Sequence, residues 1–325
     1  MKTKLVILLL LICSINYSQS YVDQEGIPKD SSYTVYGYYQ KELAKYPFIK
    51  IAKKRFNVNV IEEFNLIYRS LGTRNLKLDL FISSTNEKKI PIVIFIHGGG
   101  WRSGDKSFQH PLANEIASKG FLCAAIEYRL SPEAKYPAAV LDIKSAIKWL
   151  KKNAERYNAD SSKVILLGCS SGGHLAALCG VTVNIPKFEP NDYMSDISTK
   201  VHGVIDIDGI LDFTHPAESG KDTSELYPSV GKLLLGETYK ENPELWIEAS
   251  PLSYISERSP KFFFINSSIE RFHAGRDSAI VLFEKFKINY RIETHSCTPH
   301  TFWLFEPWFE LTANFIIDYL KNSSI

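Results

Sequence analysis

The sequence has 325 residues, a formal net charge of +2, 45% hydrophobic and 23% charged residues. That length suits one large α/β domain with a full core rather than a string of small modules. The longest basic run, Lys53-Lys54-Arg55, is too short for a nucleic-acid footprint, so no nucleic-acid partner is expected.

Residues 1–20 read as a secretory leader. Lys2 and Lys4 precede an apolar stretch, Leu5 to Ile12, that is too short to span a bilayer, and Ser18-Gln19-Ser20 resembles a small-x-small cleavage site. Ile12 stands before Cys13 where a lipoprotein anchor needs a small residue, so no membrane anchor is expected. Secretion, into the medium or a periplasm, follows, and residues 21–325 are left as one domain. Without Lys2 and Lys4 the basic residues equal the 36 acidic ones. Cys123, Cys169, Cys179 and Cys297 form no C-x-x-C pair. They are expected to be mostly free and buried, with no disulfide framework. No Cys/His cluster has ligand spacing, so neither a metal nor a cofactor is expected.

Residues 21–56 are rich in Tyr and read as a lead-in packed on the domain edge. Ile61–Ser70 and the alternating Leu76–Ser83 predict two strands. Gly72-Thr73-Arg74-Asn75 between them suits an antiparallel hairpin. Ile90–Ile96 is a nearly continuous apolar run, as in a parallel strand buried on both faces. It ends in His97-Gly98-Gly99-Gly100-Trp101. A helix over His110–Lys119, a strand over Phe121–Glu127 and a long helix opened by Tyr136-Pro137 follow. That long helix carries Val140, Ile143, Ile147 and Leu150 at helical spacing. Val164–Leu167 is the next strand and Val201–Ile207 the one after. Residues 209–255 break the βα rhythm and predict a cap-like insertion over the sheet edge, with two short helices. A strand over Lys261–Asn266, a helix over Arg276–Lys287, a strand over Tyr290–Thr294 and a closing helix over Phe309–Leu320 complete the chain. The alternation predicts a mixed, mostly parallel sheet with helices on both faces.

Val164-Ile165-Leu166-Leu167 runs straight into Gly168-Cys169-Ser170-Ser171-Gly172, and the small-residue segment Leu175-Ala176-Ala177-Leu178 follows. Strand, sharp turn and helix are the context of a nucleophile elbow, with Ser170 exposed at the strand end. The competing reading is a glycine-rich turn with a capping serine. Acyl transfer also needs a base, an acid that orients it and N–H donors for the oxyanion. Gly99, Gly100 and Ser171 are the expected donors. His300, in the loop Cys297–Trp303 after the last strand, is the expected base, with His295 as its rival. Glu270, in the loop after Lys261–Asn266, is the favoured acid over Asp277. Asp208 and Asp212 stand next in line.

These stretches, with Gly104-Asp105, Tyr128-Arg129-Leu130-Ser131-Pro132, Gly173-His174 and Ala249-Ser250-Pro251-Leu252, resemble the esterase/lipase branch of the α/β-hydrolase superfamily. The similarity covers residues 90–310. It is strongest to secreted carbohydrate-esterase-like members related to bifunctional feruloyl and acetyl-xylan esterases. The resemblance implies an α/β-hydrolase fold with an eight-stranded sheet and a small cap. It also implies a triad of Ser170, His300 and an acid, with Gly99, Gly100 and Ser171 around the oxyanion. Family members carry a Gly-x-x-Asp type loop where this chain has Asn266-Ser267-Ser268-Ile269-Glu270, and an ungapped alignment puts Glu270 at the Asp position. The implied substrate is an acylated carbohydrate, acetyl before feruloyl. Trp101 and the aromatic loop of Phe302, Trp303, Phe305, Trp308 and Phe309 would suit stacking on sugar rings, or else packing of the last helix. A carboxylesterase or lipase for small esters and an inactive binding module are the alternatives.

Overall fold

A computed structural model describes residues 20–23, 25–84, 89–221 and 228–322 of the chain. The expected leader therefore lies outside the described residues, apart from the backbone of Ser20, and so does part of the 209–255 insertion. Eight strands form one sheet: β1 (Val60–Leu71), β2 (Arg74–Ser83), β3 (Ile90–Ile96), β4 (Leu122–Ile126), β5 (Ala159–Cys169), β6 (Gly203–Ile207), β7 (Lys261–Ser267) and β8 (Tyr290–His295). Their spatial order is β8-β7-β6-β5-β3-β4-β2-β1. From β8 to β4 every pairing is parallel, and β2 pairs antiparallel with both β4 and β1. The hairpin is tighter than the expected four-residue link. Leu71 already pairs with Arg74, and Gly72 takes φ +63°, a conformation that glycine adopts without steric cost.

The described helices are α1 (Val35–Leu43), α2 (His110–Ala117), α3 (Ala138–Lys152), α4 (Ser171–Val181), α5 (Pro216–Ser219), α6 (Val230–Leu235), α7 (Pro243–Glu248), α8 (Arg276–Phe286) and α9 (Trp308–Asn322). Two hydrophobic clusters take alternate residues of the strands. Ile92, Ile94 and Ile96 of β3 join a cluster with residues of α3, α4 and α8. Val93 and Phe95 join a second cluster with residues of α2 and α9. This is the period of two expected of strands whose side chains alternate between two buried faces. At roughly 1.5–3 kcal/mol per buried large aliphatic side chain, these runs fix the register of the central strands.

The chain before β1 does more than pack on an edge. Asp30 bridges in parallel to Ser103 and pairs with Arg102. Ser103 Oγ accepts from the Tyr33 N–H (3.1 Å) and donates to the Tyr33 carbonyl (2.9 Å). Thr34 then caps α1 through the N–H of Gly37. The Tyr-rich lead-in is thus strapped onto the loop that follows β3.

Candidate active site

Strand β5 delivers Ser170 to a turn with φ 55° and ψ −122°. That is a strained combination for a residue with a side chain. The turn is tight because glycines let backbones meet. A Cβ on Gly168 would lie 2.0 Å from the Gly172 carbonyl oxygen, and one on Gly172 would lie 2.1 Å from that of Ile96. Ser170 N–H donates to the Ile207 carbonyl at 2.7 Å, tying the turn to the end of β6.

His300 Nε2 lies 2.8 Å from Ser170 Oγ, and its Nδ1 lies 2.9 Å from Asp208 Oδ2. The structure therefore brings Ser170 and His300 together but sets Asp208, not Glu270, on the histidine. Asp208 follows β6 directly, is fully buried, and has φ 53°. Its Oδ1 accepts from the backbone N–H of Ser267 at the end of β7 (2.7 Å). The neighbouring strand thus locks the carboxylate and aims its second oxygen at His300. Glu270 sits exposed on a one-turn 3-10 helix, Glu270–His273. Asp277 pairs with Arg276 at the exposed start of α8. The rival base His295 is buried beside Thr312 Oγ1 at 3.1 Å. The signal for Asp208 was present in Val204-Ile205-Asp206-Ile207-Asp208. Two carboxylates, one inside a buried apolar strand and one just past its end, need a structural or chemical partner.

The turn after β7 contributes a ring instead of an acid. Phe272 lies flat on His300, with centroids 3.5 Å apart and planes 6° apart, and Trp303 meets the imidazole edge-on at 5.3 Å. Beneath the site Asp206 is fully buried. Its Oδ1 accepts from the Gly209 N–H at 2.7 Å, and desolvation, with Asp208 nearby, pushes its carboxyl up to about 7.

Gly100 and Ser171 line the cleft beside Ser170. Ser171 opens α4, where backbone N–H groups lack helical acceptors. Gly99 lies behind them. Its φ is +131°, a Cβ there would lie 2.1 Å from the Ser103 carbonyl oxygen, and its own carbonyl accepts from Ser103 N–H at 3.0 Å. The loop is braced from below. Tyr128 Oη donates to the His97 carbonyl (2.8 Å) and Ser131 N–H to the Trp101 carbonyl (2.7 Å). Trp101 Nε1 donates to His174 Nδ1 (3.0 Å), leaving His174 Nε2 to donate to the Ala249 carbonyl (2.8 Å). Both bonds suit a neutral ring, and burial lowers His174 to about 4.

The cleft holds about 410 Å³. One wall is the N-terminal segment with Tyr33, Tyr38 and Tyr46, which composition alone had left as a lead-in. Glu218 of α5 and Val230 of α6 also face it. Of the two readings of the histidine loop, burial supports packing of the last helix over stacking on sugar rings. Phe302, Trp303, Phe305 and Phe309 are packed into the second cluster, and Trp308 packs edge-on against Tyr46. Trp101 is largely buried yet still borders the cleft. Cys123, Cys169 and Cys179 are free and buried, whereas Cys297 is free, exposed and on the rim. Among the described residues no group of three or more His, Cys, Asp or Glu is placed to hold a metal. No described helix is long and apolar enough to cross a membrane.

Residues 78–280 match the BD-FAE family. The chain belongs to that family. Among curated relatives it is 30% identical over 182 residues to esterase LipC of Mycobacterium tuberculosis, across 56% of this chain and 44% of LipC. The chain thus spans less than half the length of that relative. A truncated carbohydrate esterase from gut microbiota superposes with a TM-score of 0.68 at 20% identity, over 83% of this chain and 100% of its own. A bifunctional GH43-CE protein of Bacteroides eggerthii superposes with a TM-score of 0.69 at 25% identity, over 81% of this chain and 38% of its own. The fold of this BD-FAE member is that of the α/β-hydrolases.

Proposed function

We propose that this BD-FAE member is a secreted serine esterase that removes small acyl groups, acetyl first, from carbohydrates. The observation that carries the reading is the chain of hydrogen bonds from Ser170 through His300 to buried Asp208, opening on a cleft. In this reading His300 takes the proton of Ser170 as the hydroxyl attacks the ester carbonyl. Asp208 fixes the imidazole tautomer and offsets the charge of the imidazolium. The N–H groups of Gly100 and Ser171 receive the oxyanion, a role worth about 10²–10³ in turnover per donor, with Gly99 shaping the turn that presents Gly100. His300 then protonates the departing alcohol, and water releases the acyl group by the same route. No metal or cofactor is called for. The described part of 209–255 serves as a small cap that narrows the cleft.

The carbohydrate part rests on the family, on the names of the two superposed esterases and on the tyrosines that line the wall. Secretion rests on the leader-like first twenty residues. A fluorophosphonate probe should label the wild type once, at Ser170. Ser170→Ala should lose at least about 10³-fold in aryl-acetate turnover, and a chelator should change nothing. Activity of Ser170→Ala within tenfold of wild type would overturn the nucleophile. Release of acetate from aryl acetates but not from acetylated xylan or pectin would favour a carboxylesterase for small esters instead.

A further inference from the structure

The esterase reading, on which this inference rests, also assigns the two ends of the cleft. His300 must hand its proton to the departing alcohol, so the alcohol lies on the side of the histidine loop. The carbonyl oxygen points to Gly100 and Ser171. The acyl substituent is left with the remaining direction, along the loop after β3 and away from His300.

That end is short. Trp101 forms one side, its indole pinned to His174 at 3.0 Å. A single carbon added to Gly100 would lie 3.0 Å from Tyr33 Cε2 and 3.5 Å from Val230 Cγ1. Tyr33 and Val230 therefore close over Gly100, the expected oxyanion donor, and both line the cleft, so an acyl chain running along this loop meets them. Val230 belongs to a short helix, α6, of the insertion. Tyr33 is held at its own backbone, where N–H and carbonyl both bond to the buried Ser103 hydroxyl. Its ring also stacks on Tyr38 with centroids 5.7 Å apart. The ring therefore resists displacement, while its replacement leaves the backbone bonds to Ser103 in place.

We infer that Tyr33, carried in by the N-terminal segment, closes the acyl end of the cleft together with Val230 and biases the substrate towards esters of short acids, acetate first. Longer acyl groups are disfavoured by the ring itself and not by its hydroxyl.

The test is kcat/KM on p-nitrophenyl acetate, butyrate and hexanoate for wild type, Tyr33→Ala, Tyr33→Phe and Val230→Ala. Ratios between substrates cancel any loss of active protein. Wild type should prefer acetate. Tyr33→Ala should raise the butyrate-to-acetate ratio tenfold or more, Val230→Ala should raise it less, and Tyr33→Phe should leave it unchanged. An unchanged ratio in both alanine variants overturns the inference. So does a shift in preference among alcohols at constant acyl group, which would put Tyr33 at the leaving-group end. Should Tyr33→Ala not fold, Tyr33→Leu and Val230→Ala decide by the same ratio. A wild type that hydrolyses none of the three esters and takes no fluorophosphonate defeats the esterase reading itself. A wild type that is labelled yet prefers hexanoate defeats only the inference.

Discussion

The C-terminal ends of β6 and β7 lie side by side, and each is followed within three residues by a carboxylate. Asp208 leaves β6 with no exposed surface, one oxygen held by the Ser267 N–H and the other on His300. Glu270 leaves β7 on an exposed turn whose contribution to the histidine is the face of Phe272. Nearness along the chain is therefore a poor guide to which acid orients a base. What matters is a backbone donor that fixes the carboxylate and burial that keeps water from competing. The two strand ends have divided the work, one holding the imidazole by its nitrogen and the other by its plane.

Asp208→Asn should have the largest effect. It keeps the shape and removes the charge, and turnover on an acetyl ester should fall towards the ~10⁴ typical of a neutralised triad acid. A nearly normal Asp208→Asn would return the role to the β7 side. A second variant tests what lies beneath. The Asp206 carboxyl, raised from 3.8 to about 7 by burial, is protonated in the folded protein through a window where the unfolded chain has released its proton. Its contribution to stability is therefore full below about pH 4 and is lost as pH rises through about 7. Asp206→Asn mimics the protonated form. Denaturant midpoints should match wild type at pH 4 and exceed it at pH 8, with an upper bound of about 4 kcal/mol. Equal midpoints at pH 8 would mean that Asp206 is solvated after all. The smallest effect belongs to Glu270→Gln, whose turnover should stay within about twofold of wild type, as for a surface substitution.

Much of this is legible in the amino-acid sequence. The central strands are legible because a strand segment buried on both faces must be apolar throughout, and Ile90–Ile96 and Val164–Leu167 read that way. Ser170 and His300 were readable because strand, turn and glycine spacing are local, and because the base must follow the last strand. Asp208 was not preferred, since its position depends on a bond to Ser267, 59 residues away. The sequence around Tyr33 carries no periodic signal, and its partner Ser103 is 70 residues further on. The aromatic loop leaves two readings open, sugar stacking and packing of the last helix. Its rings do share one region, but composition does not say which faces meet solvent.

The strap also sets how the molecule comes apart. Helix α1 has no fully buried residue. It is held through its flanks, by the bonds at Ser103 and the Asp30 to Arg102 pair before it and by buried Tyr46 and Ile49 and the pairing of Lys50-Ile51 with Phe305-Glu306 after it, while its own side chains are only partly buried against the second cluster. Segments with so little buried surface open far below the free energy of global unfolding. Amide hydrogens of residues 33–43 should therefore exchange well before those of β3 and β5. On heating, α1 should loosen while the sheet is still whole, so the temperature at which this wall of the cleft frays is set in the first turns of the chain and not in its core.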